Sequence, residues 1–183
     1  LLAFWNRDGR ITDGFSQPAQ LSAHVRWVPR ADGVDLLADD VRAELSDLSL
    51  QGSGSVLGLG TDRARFSSTL SASPVSVARL LTDIPAAWMS DQLRAQFVDH
   101  HVDGVIIVRS MSVSGDMVPG AKPAVNGVVD IHNGRFTLAP QYPSVEALSA
   151  TISYDAMQVR VTQVRAQCGP VRLRGQDLLI TQW

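Results

Sequence analysis

The residues best suited to chemistry in this 183-residue chain stand together near its middle: Asp99, His100, His101 and Asp103. Imidazoles and carboxylates ligate metals and carry protons, so this cluster is the first to weigh. Successive residues on a helix point about 100° apart, whereas a zinc helix sets its two histidines four residues apart on one face. His100 and His101 therefore diverge, and the pattern supplies no third ligand. The expectation is a solvated helix end, where the helix dipole favours histidine, with no metal and no cofactor. Cys168 is the single cysteine, which excludes an intrachain disulfide and a cysteine zinc site. It has no histidine nearby to suggest thiolate catalysis. No serine occupies a nucleophile elbow, and no pair of catalytic carboxylates is identifiable. Gly52, Gly54, Gly58 and Gly60 do not make a phosphate loop, because no Gly-Lys-Ser/Thr follows them. The chain is not expected to be an enzyme.

The histidines belong to the one long stretch that reads as a helix, Ile84 to Gly104. Pro85 suits a first helical position, where a missing N–H costs nothing. Met89, Leu93 and Phe97 recur every four residues and share a face, and Trp88 widens that stripe. Gly104 fits a residue that must take positive φ after the last turn. A shorter helix is expected from Ser73-Pro74, with the serine as cap and Val77, Leu80 and Leu81 buried.

The rest alternates apolar and polar residues as half-buried strands do. Leu21, Ala23, Val25 and Trp27 alternate up to Pro29, and Ala31-Asp32-Gly33 reads as a turn. Val34 to Leu37 then reads as a short strand. Val41, Ala43 and Leu45 alternate, and Leu48 and Leu50 resume the pattern. Gln51 to Gly60 reads as a loop or a bulged strand. Ala64, Phe66, Ser68 and Leu70 follow. Beyond the helix, Val105, Ile107, Met111 and Val113 are expected on one face, with Ser110, Ser112 and Ser114 on the other. Val125 to Ile131 leads into Asn133-Gly134, the strongest hairpin signal in the chain. The expected class is mainly β, a curved antiparallel sheet with one principal amphipathic helix and a short second one. Residues 1–72 form an N-terminal β-rich segment and 73–183 the helix and further sheet, expected as one continuous domain.

Composition narrows the function. The chain is 45% hydrophobic and 19% charged, with net charge −2. Its arginines are dispersed, so no nucleic-acid partner is expected. Neither a signal peptide nor a membrane span is expected in this stretch. Its abrupt start suggests a piece of something longer. The most informative feature is apolar: Val105, Ile107, Val129, Ile131, Val159, Val161, Val171 and Leu173 alternate within their strands. If the strands pair in chain order, these faces coincide in one surface wider than a single helix covers. Two readings stay open, an ordinary sheet covered by its helix and a sheet left partly open for a greasy ligand.

The order of pieces is similar to that in the AsmA-like family of bacterial envelope proteins, of the YhdP and TamB type. The similarity is carried by Asp83-Ile84-Pro85, the helix ending Val102-Asp103-Gly104, and a Val/Ile strand with alternating serines. It continues through Val125 to Phe136, then Pro140-Gln141-Tyr142-Pro143 with Leu148, and a final strand pair to Ile180. One departure is Pro170, within Gln167-Cys168-Gly169-Pro170. The resemblance implies a β-groove segment of a periplasm-spanning protein that carries phospholipid acyl chains between inner and outer membrane. It implies as partners the remainder of the same polypeptide and the inner membrane, the latter through a segment not present here. The alternative is a structural or interaction β module of the envelope without lipid transport.

Overall fold

A computed structural model describes residues 19–45, 48–83 and 91–181. The strands are β1 (Ala19–Pro29), β2 (Val34–Leu45), β3 (Leu48–Leu59), β4 (Arg65–Ala72) and β5 (Val75–Ser76). After the helices α1 (Val77–Asp83) and α2 (Asp91–Asp99) come β6 (Asp103–Asp116), β7 (Ala124–Phe136), β8 (Val145–Tyr154), β9 (Gln158–Cys168) and β10 (Val171–Thr181). They form one 10-stranded antiparallel sheet in the order β1-β2-β3-β4-β6-β7-β8-β9-β10, with β5 also pairing β6. The sheet is curved and does not close on itself. Chain-order pairing is the cheap solution for such a chain, because short connections close small loops.

Several connections show why the chain turns where it does. In the β8–β9 turn the Asp155 carboxylate accepts hydrogen bonds from the Met157 and Gln158 backbone N–H groups at 2.8 and 3.1 Å. Gly169, at φ 56°, and Pro170 make the two-residue β9–β10 turn between the paired Cys168 and Val171. A positive φ followed by proline's fixed negative φ suits a type II′ hairpin turn. Pro170 is thus a hairpin residue. Asn133 and Gly134 do the opposite of what their types suggest. Asn133 takes φ 51° inside β7, where the register with β8 shifts between Ile131 and Gly134. The left-handed residue serves a bulge rather than a turn.

Two helix ends differ from the pattern: α1 starts at Val77 and α2 stops at Asp99. Ser73 caps no helix; its Oγ accepts from the Ser49 N–H at 2.9 Å and prolongs the β3–β4 pairing. The cap is Ser76, whose Oγ accepts from the Arg79 N–H at 3.2 Å. Val77 behind it is 2% exposed. Residues 84–90, including Pro85, Trp88 and Met89, lie outside the described residues. Phe97 is half-buried. Gly104 does not end α2: His101 does, at φ 47°, with Val102 N–H bonded to Phe97 O and His101 N–H to Val98 O. That pair of bonds is a Schellman cap. Gly104 instead lies in β6, where a Cβ would stand 2.8 Å from Gly134 Cα on β7.

Candidate functional site

Directly paired residues in an antiparallel ladder share a face, so the registers sort every strand position. Val129 pairs with Val108 and Ile152, Ile131 with Ile106 and Ala150, and Ile152 with Val161. Val161 pairs in turn with Leu178, Leu173 with Ala166, and Val171 with Cys168. On the other side Met111 pairs with Leu70, and Val113 with Ser68. Val56 pairs with Phe66 and Leu36, and Leu36 with Trp27. These pairings join into one apolar face that runs from β1 to β10.

Six of the eight proposed residues lie on it: Val129, Ile131, Val159, Val161, Val171 and Leu173. Val105 and Ile107 do not. They pair with His132 and Asp130, on the opposite face. The β6–β7 register shifts between Val108 and Ser110. One extra residue there, Arg109, inverts the alternation. Met111 and Val113 therefore face away from Val105 and Ile107, and the apolar face takes Ile106 and Val108 instead. Val105 to Val108 is apolar at four successive positions and fits either phase, so the sequence does not choose between them.

The apolar face has no enclosed core among the described residues. Its most covered members are Ala43, Val75, Val113, Val145, Ala150 and Ala166. All are alanines or valines. Among the described residues no large side chain is fully buried. Val25 and Trp27 on β1, and Val171 and Leu178 on β10, are each more than 50% exposed. α1 packs mainly against β5 and β6, and α2 is joined to α1 by Arg94, which donates to the Leu81 carbonyl. At 1.5 Å per residue α2 is about 14 Å long, against roughly 38 Å across nine strands.

The polar face holds two nearly covered carboxylates. Asp130 receives the Arg109 guanidinium and, at 2.7 Å, the Thr151 hydroxyl. Desolvation raises its pKa, but the hydrogen bonds of Thr151 and Arg109 and the charges of Arg109 and His132 outweigh it, and the net shift is downward. Asp35 accepts from the Gly58 N–H at 2.8 Å and from Arg30 at 2.7 Å, and these bonds lower its pKa against a smaller desolvation. Each carboxylate sits beside a bulge, at Arg109 and at Gly58 (φ 66°). Both read as structural ion pairs, since each is saturated by its own neighbours.

His100 is engaged with the chain after β7, its Nδ1 2.9 Å from the Thr137 carbonyl and its own carbonyl accepting from the Thr137 N–H. Among the described residues no three His, Cys, Asp or Glu side chains gather as a metal site. Cys168 lies on the apolar face, paired with Val145 and Val171. No described helix is long and apolar enough to cross a membrane.

No protein-family model, curated protein or solved structure matches the chain. Function has to be argued from the two faces themselves.

Proposed function

We propose that the apolar face carries lipid acyl chains and that this chain is a β-groove segment of an AsmA-like, periplasm-spanning protein. The observation that supports it is an open sheet of ten strands with one apolar face and no second layer among the described residues. Contiguous exposed apolar surface of this extent marks a binding surface. An acyl chain leaving water gains about 0.8 kcal/mol per methylene, and a surface of Val, Ile, Leu and Ala offers it no fixed polar partner to hold it in place. Movement along the face then needs no nucleotide or metal. The phospholipid is the substrate, the remainder of the polypeptide extends the sheet, and a segment outside this sequence reaches the inner membrane.

A second reading rests on the edges. Among the described residues β1 and β10 each leave one side of the ladder unpaired, and exposed edges recruit further strands. An envelope module that assembles edge to edge, its apolar face covered by protein, would use the same features. Native mass spectrometry of the purified chain separates the two. Bound phospholipid is expected; lipid-free protein in a discrete oligomer would favour the assembly module.

A further inference from the structure

The polar face carries an unbalanced charge at its last two strands. β9 and β10 hold Arg160, Arg165, Arg172 and Arg174 against one carboxylate, Asp177, in a chain whose net charge is −2. Within this group Arg165 and Arg174 are direct cross-strand partners, and Arg165 is also opposite Ser149 on β8. Like charges set directly opposite each other on a sheet repel. Elsewhere on this face arginines meet carboxylates: Arg26 with Asp39, Arg65 with Asp116, Arg109 with Asp130. Among the described residues neither Arg165 nor Arg174 has such a partner or a side-chain hydrogen bond. The nearby carboxylates are otherwise placed. Asp177 is opposite Thr162, Asp130 is held by Arg109 and Thr151, and Glu146 lies 4.0 Å from Arg135.

The two guanidiniums also share a hollow. Ser149, Gln163, Val164, Arg165, Arg174 and Gly175 line an open depression of about 600 Å³. Gln163 takes φ 55° there, at a β9 irregularity, beside the paired Gly175 and Val164. No carboxylate lines it. Paired guanidiniums offer forked donors that match the oxygens of a phosphate group, and Ser149 and Gln163 can add neutral donors.

We infer that Arg165 and Arg174, with Ser149 and Gln163, form an oxyanion site that takes a phosphate ester. The phosphate belongs either to a lipid headgroup or to a soluble compound. The inference does not depend on what covers the apolar face, because both arginines stand on the opposite one.

The test uses two probes and two charge-matched variants. The purified chain is titrated with inorganic phosphate and sedimented with vesicles of phosphatidylglycerol or of phosphatidylcholine. R165Q/R174Q removes the pair, and R42Q/R160Q removes two exposed arginines of the same face outside the depression. The wild type is expected to bind phosphate, phosphatidylglycerol vesicles or both. R165Q/R174Q should weaken that binding roughly tenfold or more, and R42Q/R160Q less than about threefold. Phosphate binding alone assigns a soluble ester, and vesicle binding alone a headgroup. Binding of neither probe by the wild type, or equal losses in the two variants, overturns the site. Val161→Arg, on the apolar face, should leave phosphate binding unchanged, so this inference and the acyl-chain reading fail separately.

Discussion

Arg109 is the extra residue of the β6 bulge, and its guanidinium closes over Asp130 on the neighbouring strand. The bulge thus does two things at once. It inverts the apolar alternation of β6, and it brings a cation to a carboxylate that the sheet has nearly covered. Asp130→Asn should destabilise the protein by about 1–3 kcal/mol, because Arg109 loses its charge partner. Chemical denaturation of the variant at neutral pH measures this. Arg109→Gln should cost a similar amount, and the double variant less than the sum, since the two residues act on one interaction.

Acid should expose the same interaction. The Asp130 pKa is lowered in the folded state, from an unfolded value of about 3.9. A group depressed in this way contributes its full stability above the unfolded pKa and loses it as pH falls through the folded one. Stability should therefore hold from neutral pH to about pH 5 and decline below about pH 4. In Asp130→Asn the decline should be shallower. Parallel acid curves for the two proteins would show that Asp130 does not contribute.

Two serines are expected to respond in opposite directions. Ser68 sits on the apolar face opposite Val113, and its Oγ is covered without a hydrogen-bond partner. Ser68→Ala removes that unsatisfied hydroxyl and should leave the melting temperature unchanged or higher. Ser76 caps α1, and Ser76→Ala should cost about 1 kcal/mol. Thermal melts of the two variants side by side decide it.

Gly104 should be intolerant of any side chain. Its φ of 135° is open only to glycine, and a Cβ would stand 2.8 Å from Gly134 Cα. Gly104→Ala is expected to destabilise by more than about 1 kcal/mol. Gly120, at φ 83° with nothing within 4 Å of a Cβ, is the control: it carries the backbone strain without the close approach.

The strands were legible in the sequence because alternation is a local signal, and Leu21 to Trp27, Phe66 to Leu70 and Val125 to Ile131 all carry it. Phase was not. A bulge adds one residue and leaves composition almost untouched, so the inversion at Arg109 is invisible to a count of odd and even positions. Asn133-Gly134 shows the same limit, since a residue that accepts positive φ serves a turn and a bulge equally. The cap of α2 is His101, a residue type that accepts left-handed φ less readily than glycine, and Gly104 three positions on carries the stronger stop signal in the sequence. The paired arginines of β9 and β10 each looked like ordinary solvent-facing residues. Their opposition depends on register across the hairpin, which no single strand contains.

The acyl-chain reading is tested most directly by two neighbouring residues of β9. Val161 lies on the apolar face between Ile152 and Leu178, and Arg160 on the polar face between Ser153 and Leu179. Purified protein carrying Val161→Arg or Arg160→Ala is extracted, and the phospholipid per chain is measured by mass spectrometry beside the wild type. A guanidinium among acyl chains should abolish most of the bound lipid, and Arg160→Ala should retain it. Equal lipid content in the two variants, or none in the wild type, would contradict a lipid path along this face.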